Sequence, residues 1–233
     1  MTLKITSKMP LGITIILLFF LLFFLQNQIF SLRGLPPKLV IKPGEFAILV
    51  ALGGLRGVAA DLLYLKADEF WQEEKWEETL PLYRAITILQ PHYVDYWSLA
   101  GFHLAWDMVF RVKKEEDKEK YSKLGIEYLK EGLSYNPDVY KLYFDLGFTY
   151  DHKLKNYDEA IKWYKKATEF SEHPQYIDRA IAHNLRKKGD LRSAHQEWLK
   201  LKELYPNDAY HQEIVDLNLK IVEEELKKSG KKD

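Results

Sequence analysis

Residues 143–174 read YFDLGFTYDHKLKNYDEAIKWYKKATEFSEHP. Leu146, Gly147 and Tyr150 recur at helical spacing in the first half. Ala160, Tyr164 and Ala167 do so in the second, and Pro174 closes the stretch. A small residue on one helix lets a second helix come close, and a ring at the facing position fills the remaining space. The stretch therefore predicts two antiparallel helices followed by a proline stop. Working outward, Pro91, Pro137 and Pro206 each follow a similar helix. Before each proline a small or polar residue precedes an aromatic or leucine by four positions: Thr79/Tyr83, Gly125/Leu129, Ala160/Tyr164 and Ala194/Trp198. The prolines are spaced by 46, 37 and 32 residues, which scatter around the roughly 34 of a helix–turn–helix repeat. A stack of such units is a binding architecture with no reaction chemistry of its own.

The totals agree with that reading. Of 233 residues, 34 are Lys or Arg and 34 are Asp or Glu. A net charge of zero gives no general attraction to nucleic acid or anionic lipid. Without cysteine there are no disulfides and no thiolate metal sites, although this leaves the compartment open. The seven histidines form no His-x-x-x-His or HExxH pattern, and no phosphate loop or Gly-x-Ser-x-Gly is present. Neither an enzyme, a cofactor nor a small-molecule substrate is expected.

The repeats resemble the tetratricopeptide repeat family. The third copy matches best, through Tyr143, Leu146, Gly147, Tyr150, Ala160, Tyr164, Ala167 and Pro174. The fourth matches in its second half, through Ala182, Gly189, Ala194, Trp198, Leu201 and Pro206, but carries Asp178 at a position the family fills with a large residue. The second begins with Trp97, Ala100, Gly101 and Leu104. It then holds about 12 extra residues before Gly125, Leu129 and Pro137, including the charged run 113–120, KKEEDKEK. The first has Leu63, Ala67, Phe70, Tyr83 and Pro91, with Thr79 where a small Ala is usual. The resemblance implies an all-α fold, about four helix–turn–helix repeats in a solenoid over 46–208, and the N-terminal sequence adds one transmembrane helix before it. Residues 209–233 are expected to form a capping helix and charged tail, with Ile214, Leu217, Ile221 and Val222 facing inward.

The expected transmembrane helix lies in 1–30. Residues 11–25, LGITIILLFFLLFFL, are uncharged, and with the residues to 30 they reach the length that spans a bilayer. Lys4 and Lys8 precede them and no Ala-x-Ala-like cleavage site follows, which predicts an uncleaved signal anchor. The short basic leader favours a cytoplasmic N-terminus, hence a bacterial inner-membrane protein with its large domain in the periplasm. Residues 31–45 form a Pro-rich linker. A second apolar stretch, 46–65, contains Arg56, Asp61 and the glycines 53 and 57. It reads either as a helix covering the end of the solenoid or as a second span, which its two charges make costly.

In the family, the first helix of each repeat lines a concave face. Carried over, repeat one offers Tyr64, Asp68 and Trp71, and repeat two Phe102 and Trp106. Repeat three offers Phe144, Phe148 and His152, and repeat four Arg179, His183 and Arg186. The resemblance thus implies a protein or peptide ligand held by rings in three repeats and by basic residues in the fourth. Two alternatives stay open: rings that are simply core, and a basic end that is simply solvated. Repeat domains that clamp a chaperone's terminal carboxylate use Lys and Asn where this chain has Tyr64 and Asp68, which argues against that mode. The function expected is a membrane-anchored adaptor that recruits a peptide or subunit in assembly of an envelope complex such as a pilus or secretion machine. The alternatives are a permanent structural subunit and head-to-tail self-assembly.

Overall fold

A computed structural model describes residues 55–229 and six helical positions between 13 and 24. The rest of the expected anchor, the linker 31–45, residues 46–54 and the tail after Ser229 lie outside the described residues. Among those described, no helix is long and apolar enough to cross a membrane, and every regular element is a helix. The chain divides into two compact units, Met1–Tyr93 and Val94–Asp233.

In the first unit, α1 (Arg56–Gln72) packs on α2 (Trp76–Leu89). Ala60 and Ala67 lie seven apart on one face of α1 and are fully buried, so the two helices approach closely. Thr79, standing where the family has alanine, is also buried. It fits because its hydroxyl donates to the Lys75 carbonyl one turn back at 2.8 Å.

The second unit begins with α3 (Val94–Phe102), a π-helical turn (His103–Asp107) and α4 (Met108–Arg111), and then α5 (Glu115–Tyr135). Next come α6 (Tyr140–His152) and α7 (Tyr157–Ala167), α8 (Tyr176–Lys188) and α9 (Leu191–Leu204), and finally α10 (Ala209–Ser229). The extra residues of repeat two are absorbed in the helices themselves. The π turn lengthens the first helix of the pair, and Glu115, Glu116 and Asp117 of KKEEDKEK form the acidic first turn of α5.

Glycine sets the tightest contacts. A Cβ on Gly125 would stand 2.7 Å from the Gly101 carbonyl oxygen and from the Ala105 Cβ, so α5 touches the backbone of the helix beside it. Gly132 receives the Trp97 ring and Gly147 the Tyr164 ring in the same way. In the last pair, Trp198 is fully buried among Ala182, Ala194, Leu201, Val215 and Val222.

The turn inside three of the pairs is one device used repeatedly. Glu74, Lys155 and Gly189 each have positive φ (63°, 51° and 90°), and each lies two residues before the second helix. The next amide reaches back to a carbonyl of the first helix: Lys75 to Phe70 at 2.8 Å, Asn156 to Tyr150 at 3.0 Å and Asp190 to Leu185 at 3.0 Å. Asn156 and Asp190 then cap their helices by accepting from the Glu159 and Ser193 amides, both at 3.1 Å.

The last helix corrects the sequence reading. α10 packs on α9, but it buries His211, Val215, Leu219 and Val222. Of the four residues expected to face inward, only Val222 does so; Ile214 and Ile221 are half-buried and Leu217 is 59% exposed. The cause is His211, a polar residue in a core position. Its Nδ1 accepts from the Arg179 guanidinium at 2.9 Å, and its Nε2 lies 3.3 Å from the Leu201 carbonyl. With both ring nitrogens engaged the ring can sit inside, and the helix is rotated accordingly.

Candidate functional site

The first helices of the second unit bring five rings into one run. Phe102 and Trp106 stack at 5.4 Å with 7° between planes, one residue before the π turn and one inside it. Trp106 stacks on Phe148 of α6 at 4.9 Å and 14°. Phe148 continues to Phe144 at 5.6 Å, and Phe144 meets Tyr176 of α8 edge-on at 5.3 Å. His152 closes against Phe148 at 4.2 Å. Lys153 at the end of α6 lays its ammonium 4.0 Å from the Trp106 ring centre and 4.4 Å from that of Phe110. Phe102, His152 and Tyr176 are exposed while Trp106, Phe144 and Phe148 are half-buried. The run is therefore a surface with a core behind it, since Phe144 and Phe148 also pack on Ala160, Tyr164 and Ile177.

Two polar pins hold these helices at the spacing the stack needs. On one side the Ser98 hydroxyl of α3 donates to Asp145 of α6, and Lys141 donates to Ser98 at 2.5 Å. Burial pushes the Asp145 carboxyl up, while Lys141 and Ser98 pull it back. On the other side the buried Asp151 of α6 accepts from Lys187 at 2.7 Å and from Asn184 at 3.1 Å, both on α8. Breaking either pin would leave a buried polar group without its partner.

Of the residues the sequence singles out, Phe102, Trp106, Phe144, Phe148 and His152 come together. Tyr64, Asp68 and Trp71 lie on α1 in the first unit. There Gln72 donates to Asp68 at 2.7 Å, and Trp71 meets Trp76 edge-on at 4.0 Å. Arg186 makes a bidentate pair with Glu225 of α10, through Nε and Nη2 at 2.8–3.1 Å, and Arg179 is held by His211. His183 stands over Trp198 at 4.9 Å. Burial lowers its pKa to about 4, and Lys187, Arg186 and Arg179 add to that, so it is neutral near pH 7. Arg179 and Arg186 thus each have a partner within the chain. Asp178, the departure from the family pattern, is also explained. It accepts from Tyr205 at 2.8 Å and His173 at 3.0 Å, and the Tyr205 hydroxyl is pushed up to about 12 by burial and by that carboxylate.

Phe110 and Lys153 join the site without having been singled out. Phe110 is 78% exposed and sits four residues after Trp106, as Trp106 does after Phe102. That spacing was the available signal. Among the described residues no group of three or more His, Asp or Glu could hold a metal ion.

A family model described as tetratricopeptide repeat matches residues 140–174, the pair α6 and α7. That pair is similar to a tetratricopeptide repeat. A crystal structure of a thermophilic tetratricopeptide protein from Thermus thermophilus is similar at 19% identity and a TM-score of 0.51, over 85% of this chain and 97% of that one. The likeness shows a shared helical-repeat fold. A chain in a structure of Naa15/Naa10 bound to HypK-THB is similar at 19% identity and a TM-score of 0.44, over 75% of this chain and 26% of that one. No curated protein matches. Tetratricopeptide repeats mediate protein–protein interaction, and the run of rings lies on the first helix of the matched repeat and its neighbours.

Proposed function

We propose that this chain is a membrane-anchored adaptor that holds a peptide or protein subunit along the run from Phe102 to Tyr176. The observation that carries the reading is that run itself: five rings across three helices, four stacked and the fifth edge-on, partly exposed and fixed by the Ser98 and Asp151 pins. Rings held rigid before binding lose little entropy when a ligand covers them, and large aromatics dominate the energetics of protein interfaces. Trp106 and Phe148 act as the central anchors, and Phe102 and Tyr176 form the rim. Arg186 plays no part, because Glu225 holds it. Tyr64, Asp68 and Trp71 offer a second contact surface on the first unit.

The anchor is residues 11–30. All six described positions in this stretch, Ile13, Leu17, Leu18, Phe20, Leu21 and Phe24, are helical and exposed, which suits side chains that face lipid. The setting we propose is the bacterial inner membrane, with the repeats in the periplasm and the partner belonging to an envelope complex under assembly. The test is a photoreactive residue in place of Phe102 in intact cells, with Leu199 on α9 as the control position. A dominant crosslinked protein from position 102 and none from 199 supports the reading. Equal products from both, or none, overturns it.

A further inference from the structure

The first helix carries a second apolar face that α2 does not cover. Leu55, immediately before α1, and Val58, Leu62 and Leu65 within it are 41%, 55%, 62% and 64% exposed. Their spacing of three, four and three residues puts them on one side of the helix. At 100° per residue that side lies about 170° from the buried Ala60 and Ala67, and about 135° from Tyr64, Asp68 and Trp71. It is thus neither the face packed on α2 nor the face the repeat pattern assigns to a groove. Arg56 and Asp61 fall outside this sector, and the stripe ends at Glu69, whose carboxylate holds Lys66 at 2.8 Å.

We infer that this stripe rests in the surface of a lipid bilayer, so that α1 lies along the membrane and fixes how the domain is presented. The inference depends on the proposal that residues 11–30 are a membrane anchor. Three observations choose the bilayer as the occupant. First, the stripe starts where an apolar sequence ends: residues 46–52, FAILVAL, have no charge and only Gly53 and Gly54 separate them from Leu55. Second, only 24 residues lie between position 30 and Leu55, with three prolines among them, so the linker keeps this helix near the anchor. Third, the four side chains expose about 400 Å² in all, roughly half of what one partner buries in a stable protein interface. A second copy or a folded protein would find too little to hold. A tethered helix needs only to sink one apolar face to the boundary of headgroups and acyl chains. The charges beside the stripe have both signs, so the contact should not require anionic lipid.

The lack of native cysteine gives a direct test with the full chain in phosphatidylcholine vesicles. Single cysteines are placed at Leu62, Leu65, Asp68 and Leu18, each labelled with a bimane fluorophore, and quenched by lipids that carry a nitroxide on the acyl chain. Leu62 and Leu65 are exposed, so their replacement disturbs no packing, and two positions guard against one variant failing to fold. Loss of emission at 62 and 65 but not at 68 supports the inference. Quenching at 18 with none at 62 and 65 overturns it while leaving the anchor standing. No quenching at 18 removes the anchor reading and this one together. Blue-shifted emission at 62 that lipid does not quench, and that fades as the protein is diluted in lipid, overturns it in favour of a second copy.

Discussion

Gly125→Ala adds one methyl group where α5 meets the backbone of the preceding helix. The new carbon would sit 2.7 Å from the Gly101 oxygen, 2.7 Å from the Ala105 Cβ and 2.9 Å from the Ala105 nitrogen. Ordinary contact begins near 3.4 Å, so the two helices must separate by several tenths of an ångström. Two of those atoms are backbone and cannot rotate away. Overpacking of this kind costs about 1–3 kcal/mol, while replacing a helical glycine returns about 1 kcal/mol of propensity. The net expectation is a loss of up to about 2 kcal/mol, or up to several degrees in melting temperature for a unit of this size. Gly101→Ala is the internal comparison. Its methyl group would meet only the Leu129 side chain, at 2.6 Å, and a side chain can shift where backbone cannot. Urea denaturation of the two variants beside the parent is the assay. A Gly125→Ala variant more stable than the parent, or more damage from Gly101→Ala than from Gly125→Ala, would refute the claim that backbone contact sets this interface.

The other predictions concern the turns, one histidine and one pin. Lys155→Gly should be neutral or stabilising by up to about 1 kcal/mol, because its φ of 51° suits glycine. Gly189→Ala should cost about 1 kcal/mol from conformation alone, since its Cβ would meet nothing within 4 Å; thermal melts read both. The His183 pKa of about 4 lies below that of the unfolded chain, so the unfolded state takes up the proton first on acidification. Stability should therefore be intact above about pH 6.5 and fall by up to about 3 kcal/mol toward pH 4. His183→Gln should flatten that part of a pH series of unfolding curves. Asp151→Ala should cost about 2–4 kcal/mol, because it strips Lys187 and Asn184 of their shared partner; a loss below about 0.5 kcal/mol in urea titration would show that the pin is ornamental.

The small-and-large pairs made the repeat legible before any coordinates. Ala67, Ala182 and Trp198 are fully buried as their spacing implies, and Gly147 receives the Tyr164 ring. Five of the residues assigned to a concave face are found near one another for the same reason: first helices repeat at a regular interval. The failures have physical causes. Hydrophobic periodicity assumes that polar residues face water, so it could not place His211 inside or see that α10 rotates around it. The partners of Arg186 and Lys187, Glu225 and Asp151, are 39 and 36 residues away in sequence. Long-range ion pairs leave no local pattern. The π turn at His103–Asp107 likewise has no compositional mark, and it showed in the sequence only as surplus length in repeat two.

The most direct measurement is the affinity of Trp106→Ala and Phe148→Ala for the protein crosslinked at position 102, taken by calorimetry alongside each variant's melting curve. The account predicts that each substitution weakens binding by more than about 1 kcal/mol, roughly fivefold or more, beyond anything a lowered melting temperature explains. Unchanged affinity with a lower melting temperature would contradict it, and would make these rings core and nothing more.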